Sequence, residues 1–322
     1  MKTLLSHIRP IIRPQGHIFH GWRIASAGAS VNFLGAILLY HVFGAYLLLI
    51  ENEFGWNKAT LAGAFALARI ESALLGPIHG WLIDRYGPKT IIRCGLFIFG
   101  FSLIGFSTID SLIEFYVYFF LIALGTSLGG FLSVTVALVN WFARHRAKAL
   151  AFLQLGASIG GILVPITVYC LDHFGWRLTA FGSGLIVLLM TWPITQVFHH
   201  RPAMIGETPD GILFTQTNDS KLSTQTAGIV GRSGDFTVSQ AFKTRAFWFL
   251  ALGHSTSLLI VGTVMTHLVL HINGELGYSL TVAGLVVSFM TMMQIVGLIG
   301  TGFLGDRINK RSIVITCMIL HG

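Results

Sequence analysis

Arg69 and Glu71 are the residues whose types and spacing most directly suggest chemistry. Both lie near the middle of an apolar run, residues 60–82, and they are the only ionisable pair so placed in any apolar run of the chain. A charge at the centre of a lipid-crossing helix costs at least about 2.5–3.5 kcal/mol and faces a polar cavity or a partner group. Two positions along a helix turn through about 200°, so the two side chains leave different sides and do not form one ion pair. The guanidinium of Arg69 is a planar fork of donors that suits a carboxylate. It reads as an anion ligand, or else as a structural partner for another helix. Glu71 reads as a proton-coupling candidate, or as a hydrogen-bonded packing residue.

Five isolated polar side chains also fall inside apolar runs: Asn32, Tyr40, Gln154, His254 and Gln294. Each fits either an interhelical hydrogen bond or a contact to a polar substrate, and with Arg69 they make up the candidate substrate-binding set. His267 and His271 have the i, i+4 spacing of metal ligands but lack a third, so they read as a helix-end pair. Cys94, Cys170 and Cys317 lie far apart in apolar runs and read as small core residues. No nucleophile–base pair and no phosphate-cradling glycine loop is visible, which argues against an enzyme and against a cofactor.

These residues need helices to hold them, and the composition says which kind. Of 322 residues, 53% are hydrophobic and only 11% are charged. A water-soluble domain carries roughly 25% charged residues, so this chain cannot cover a surface facing water. A helix needs about 20 apolar residues to cross a bilayer. Runs of that kind fall at 25–49, 60–82, 90–108, 112–139, 149–171, 179–198, 247–270 and 281–304, and a ninth begins near 313. The expectation is an all-α polytopic membrane protein. With the N-terminus inside, 18 of the 21 Lys and Arg residues fall in cytoplasmic segments, as insertion favours. The formal charge of +8 then follows from topology and calls for no nucleic-acid partner. Residues 199–246, rich in Gly, Ser and Thr, read as a cytoplasmic linker. The register places 1–198 before it and 247–322 after it as two unequal parts.

An internal repeat organises those runs. Gly80-Trp81-Leu82-Ile83-Asp84-Arg85-Tyr86-Gly87-Pro88-Lys89 recurs as Gly302-Phe303-Leu304-Gly305-Asp306-Arg307, an offset of 222 residues. Upstream, Glu53-Phe54-Gly55-Trp56 falls on Glu275-Leu276-Gly277-Tyr278 at the same offset. Arg69 and Glu71 fall on Thr291 and Met293, so the charged pair belongs to the first copy alone. The register also sets Gly322 on Gly100, in mid-span. It predicts a complete six-helix first half and a second half that holds helices seven and eight and the start of helix nine, a C-terminally truncated form.

The G-x-L-x-D-R-x-G-x-x loop between two apolar runs, present in two copies, resembles the signature loop of major facilitator transporters. That resemblance implies two parallel six-helix halves with substrate held between them near the midplane. Gly21-Trp22-Arg23-Ile24, Phe54-Gly55-Trp56-Asn57, Gly76-Pro77, Trp141-Phe142-Ala143-Arg144, Arg201-Pro202, Pro209-Asp210-Gly211 and Arg245-Ala246-Phe247-Trp248 are similar to the oxalate–formate antiporter and monocarboxylate porter branch. Two features depart from that branch. Arg144-His145-Arg146-Ala147 stands where the family has Arg-Arg-Gly, and 281–304 carries no charge where characterised relatives place an arginine. The match to drug–proton antiporters is poorer, since their helix-four arginine is absent from 112–139.

The resemblance implies secondary transport of a small organic anion, a monocarboxylate in particular, with a coupled proton or counter-anion. It places a multi-pass, monomeric protein in the plasma (inner) membrane with its N-terminus in the cytoplasm. Asn32, Tyr40 and His254 then belong to cavity-lining helices one and seven. Gly80, Asp84, Arg85, Gly87 and Lys89, with Asp306 and Arg307, form a conformational latch. The competing readings are a transporter-like receptor or sensor, a non-functional truncated fragment and, last, a drug–proton antiporter.

Overall fold

The computed structural model describes residues 18–211, 240, 242–304, 312 and 315–318. No strand occurs among them. The helices are α1 (His20–Gly35), α2 (Phe43–Phe54), α3 (Lys58–Tyr86), α4 (Pro88–Phe106), α5 (Leu112–Gly129) and α6 (Phe131–Trp141). They continue with α7 (Arg146–Ile162), α8 (Val164–Gln196), α9 (Arg245–Leu270) and α10 (Leu280–Leu304).

Several of the apolar runs are broken helices. The first is α1 and α2 joined by a π-helical stretch, Ala36–Tyr40. The Ile37 carbonyl in that stretch accepts from the Thr167 hydroxyl at 3.0 Å, the kind of help a distorted helix needs away from water. The fourth run is α5 and α6, separated at Gly130, where a Cβ would lie 2.2 Å from the Thr126 carbonyl oxygen. The stretch Arg146–Gln196 is 51 residues long, about 77 Å at 1.5 Å per residue and far beyond one bilayer crossing. Gly175, at φ 76° and ψ 166°, folds it into two. Eight crossings result among the described residues, at the places the apolar runs indicate.

Glycine sets how closely the helices approach. A Cβ on Gly95 would lie 2.2 Å from the Gly129 nitrogen, and one on Gly125 would lie 2.5 Å from the Phe99 nitrogen, so α4 and α5 meet backbone to backbone. In α7, a Cβ on Gly156 would lie 1.9 Å from the Ala29 carbonyl oxygen of α1. Gly76 and Gly80 lie four residues apart on α3, and nothing described lies within 4 Å of a Cβ on either. Between these helices runs one large apolar core that includes Phe99, Phe106, Phe115 and Trp176.

Among the described residues, the second part packs on the first mainly where α10 meets α7 and α8 and where α9 meets α2. Thr291 fills the space beside Gly161, and the Ser288 hydroxyl donates to the Ile162 carbonyl at 3.1 Å. The repeat is visible in the turns. Gly55 and Gly277 both end helical segments at positive φ, 66° and 71°. Asn57 and Ser279, also equivalent, each accept a backbone N–H of the helix that follows, from Ala59 and Val282.

The polar stretch after α8 departs from a plain linker at its start. Trp141 Nε1 donates to the His199 carbonyl at 3.0 Å, Pro202 is buried, and the His20 N–H donates to Glu207 at 3.2 Å. The Asp210 carboxylate accepts the N–H groups of Ala143 and Arg144 at 3.1 and 2.8 Å. Residues 199–211 are thereby docked on the end of the helix bundle, because the loop before α7 has backbone donors that a carboxylate can satisfy. Residues 212–239 lie outside the described residues. At the opposite end, Arg177 joins Glu53 and Asp110 at 3.0 and 2.9 Å.

Candidate substrate cavity and signature loop

A cavity of about 180 Å³ opens between the first run, α3 and α5. Arg69, Tyr40, Ser72, Thr126 and Ser127 supply its polar wall, and Leu39, Phe43 and Phe119 supply much of the apolar one. Tyr40 reaches it because it ends the π-helical stretch; such distortions are frequent at functional sites. Arg69 lies in the middle of the 29-residue α3 with an exposed side chain. Its Nη2 would lie 3.5 Å from a Cβ on Gly262 of α9. The guanidinium therefore stands at the cavity wall and beside the second part of the chain at once.

Glu71 leaves the other side of α3. It is buried, its Oε2 accepts from the Ser72 hydroxyl at 3.0 Å, and its Oε1 has no partner among the described residues. Arg69 and Glu71 form no ion pair, as their spacing demands. His79, two helical turns beyond Glu71, is equally buried, with Nδ1 3.3 Å from the Ser127 hydroxyl and Nε2 unpartnered among the described residues. Sequence reasoning passed over His79 because it sits next to the signature loop and near the end of its apolar run. Its burial comes from α5, which sequence spacing does not show.

The other candidates are spread over the interfaces. The Asn32 amide donates to Gln154 at 3.1 Å and to the Leu153 carbonyl at 3.3 Å, tying α1 to α7. Gln294 accepts from Ser158 at 3.3 Å, tying α10 to α7. His254 is exposed on α9 and lines neither this cavity nor the second one described below. His271 pairs with Glu275. The larger cavity, about 380 Å³, is a mostly apolar cleft between the first run and α8, open on its outer side at Ile166, Phe174 and Ile186.

The signature loop is a tight helix-to-helix turn. Gly87 closes α3 at φ 79° and ψ 153°, and Pro88 starts α4 at once. Gly80 lies one and a half turns before the end of α3 on an open face. Arg85 stacks over Trp81 and Tyr86 at 5.3 and 5.7 Å. Lys89 donates to the carbonyl and the side chain of Gln196 at 3.5 Å, within the first part of the chain. Asp84 is exposed. Asp306 and Arg307 lie outside the described residues.

The profile of the Major Facilitator Superfamily matches residues 28–321. The chain belongs to that superfamily. This major facilitator chain is similar to the MFS transporter asaE of Aspergillus flavus, 25% identical over 312 residues, covering 94% of this chain and 60% of that protein. It is also similar to the cis,cis-muconate transport protein of Acinetobacter baylyi, 31% identical over 183 residues, or 53% of this chain and 41% of that protein. Among solved structures, it is similar to a bacterial homologue of the human lysosomal transporter Spinster in an inward-facing, unoccupied conformation. That likeness has a TM-score of 0.63 at 18% identity, over 92% of this chain and 64% of the other. It supports the fold alone. This chain thus spans 60% of the length of the first of these relatives.

Proposed function

We propose that this chain forms the substrate-bearing portion of a secondary transporter for a small organic anion, a monocarboxylate in particular. Its motifs resemble those of the oxalate–formate and monocarboxylate porter branch. The observation that carries the proposal is the exposed guanidinium of Arg69 at the cavity wall, in mid-span and beside α9. Arg69 is twelve residues from both Asn57 and Trp81, about 18 Å from each at 1.5 Å per residue, which matches the midplane depth of such substrate sites. The cavity, about 180 Å³, falls below the usual ~300–1,000 Å³ of pockets for larger ligands, which favours an anion of few atoms. The name of the Acinetobacter baylyi relative, a muconate transporter, supports a carboxylate as the recognised group.

In this reading Tyr40 and Thr126 orient the anion that Arg69 binds, and Asn32, Gln154 and Gln294 hold the helices around it. Asp84, Arg85 and Lys89 form the latch that governs closure at the signature-loop end, with the N-terminus in the cytoplasm of a plasma-membrane protein. The test is binding and uptake of radiolabelled formate, oxalate and pyruvate, measured together with membrane abundance. Arg69→Lys keeps the charge and loses the bidentate fork, so affinity falls. One charge-assisted hydrogen bond is worth about 1.5–3 kcal/mol, or about 10- to 150-fold. Arg69→Gln nearly abolishes binding while the protein stays in the membrane. A well-expressed Gln variant with normal binding overturns the proposal. Binding without any flux favours a receptor instead.

A further inference from the structure

We propose that the apolar cleft of about 380 Å³ between the first run and α8 is a slot for one acyl chain of a bilayer phospholipid. It shares no lining residue with the cavity at Arg69. The walls are the two arms of α8, which folds back at Gly175. Ile166, Cys170 and Phe174 line one arm, and Leu178, Gly182 and Ile186 line the other. Steps of four residues keep each set on one helix face, so the slot runs along the helices, inward from the turn. Eight residues separate the first and last of each set. That makes the slot about 12 Å deep at 1.5 Å per residue, most of one leaflet of a hydrocarbon core about 30 Å thick.

The slot opens on the surface that meets lipid. Ile166, Phe174, Leu178 and Ile186 are exposed at its rim, and Phe181, Leu185 and Leu189 are exposed next to them on α8. In a multi-pass membrane protein such a surface is the interface with the bilayer, and the slot is continuous with it. The second part of the chain lies on another side of α8. A Cβ on Gly284 of α10 would lie 3.5 Å from the side chain of Val168. Val168 is two positions from both Ile166 and Cys170, about 200° around the helix from each.

The lining suits hydrocarbon rather than water. The Thr167 hydroxyl donates to the Ile37 carbonyl at 3.0 Å, and the Thr179 hydroxyl donates to the Gly175 carbonyl at 2.8 Å. Ser183, the remaining hydroxyl of the lining, is buried. An enclosed water needs about two to four polar partners, which the Ile, Leu and Phe side chains around it do not supply. Gly182 keeps the slot open. Glycine is a poor helix former, and neither close packing nor a positive φ accounts for this one: a Cβ there meets nothing within 4 Å. Gly184, two residues on, is the contrast, since its Cβ would lie 2.6 Å from the Gly100 carbonyl oxygen. Gly184 lets two helices touch, and Gly182 leaves room for a chain between them.

The experiment is photolabelling of the whole chain in vesicles of phosphatidylcholine that carries a diazirine midway along one acyl chain, with adducts mapped by mass spectrometry. Ile37 and Leu38, at the floor of the slot, are 9% and 7% exposed, so lipid reaches them by entering it. Adducts are expected on Leu38 and Cys170 as well as on the exposed Leu185 and Leu189. Gly182→Leu places a side chain in the slot. The Leu38 and Cys170 adducts are then lost, while those on Leu185 and Leu189 persist and show that the variant is in the membrane. Gly182→Ala, which leaves most of the slot free, retains both sets. Surface adducts with none on Leu38 in the unsubstituted chain overturn the proposal, as they would if a protein segment covered the cleft. Equal Leu38 labelling in Gly182→Leu overturns it too. So does labelling of Leu38 by a diazirine-bearing stearic acid but not by the phospholipid, which assigns the slot to a free acid. The unsubstituted chain alone decides whether the slot is occupied, so a misfolded variant leaves the test intact.

Discussion

At the scale of single residues, the useful signal was rarity. An arginine and a glutamate in mid-span are costly, and cost makes position informative. Their spacing implied that they face apart, and they do: Arg69 looks into a cavity and Glu71 into the bundle. The uncharged polar residues carried less information, since an amide satisfies a neighbouring helix as readily as a substrate. Asn32 and Gln154 bond one another. Asn32→Ala therefore breaks a helix-to-helix bond and lowers thermal stability by about 0.5–2 kcal/mol, as for interhelical bonds in lipid. Its effect on anion affinity is small beside that of Arg69→Lys. Differential scanning fluorimetry with a parallel binding assay separates the two effects, and a large loss of affinity at unchanged stability would move Asn32 into the binding site.

At the scale of elements, three helical glycines differ in what lies beside them. Gly95 meets backbone on α5, and Gly156 meets backbone on α1, so neither neighbour can swing away from an added methyl group. Gly95→Ala and Gly156→Ala are each expected to destabilise the bundle by about 1–3 kcal/mol or more. Gly76→Ala adds a methyl where nothing described lies within 4 Å, and in an α-helix it gains about 0.8–1 kcal/mol of propensity. Melting temperatures of the three variants in one detergent check the order. A Gly76 variant as unstable as the Gly156 variant would show that a further surface packs there. The signature loop belongs to the same scale. Gly87 at positive φ and Pro88 at the first helical position make the turn, while Asp84 is exposed and adds nothing to it. Asp84→Asn should leave stability unchanged and slow uptake more than it weakens binding. Equal uptake rates at equal abundance would reduce the loop to a turn.

At the scale of the molecule, the basic residues predict which end is cytoplasmic. The end that carries Arg85, Lys89, Arg146 and the docked 199–211 segment also presents Met204, which is 67% exposed. A cysteine at that position, Met204→Cys, should react with an impermeant maleimide only after the cells are opened, judged against the unsubstituted chain. Reaction in intact cells would invert the topology. The same scale explains the interface between the two parts. Small residues on α7 let Thr291 and Ser288 of α10 come close, and Ala283 and Val287 of α10 join the apolar core beside them.

The amino-acid order by itself determined the spans, the repeat and the mid-membrane charges. Each follows from a one-dimensional rule: lipid demands about 20 apolar residues, a register survives duplication, and a buried charge needs a reason. The register also paired Gly55 with Gly277, and the structure holds both at positive φ, which glycine adopts without a Cβ penalty. Three features were settled only by the tertiary structure. Tyr40 meets Arg69 at the cavity wall at the end of a π-helical stretch, whose Ile37 carbonyl accepts from Thr167, 130 residues away. His79 is buried against Ser127 of α5. Residues 199–211 become part of the folded body because the loop before α7 offers unpaired N–H groups to Asp210. In each case the deciding partner is distant in sequence, and no local periodicity records which helix will lie alongside.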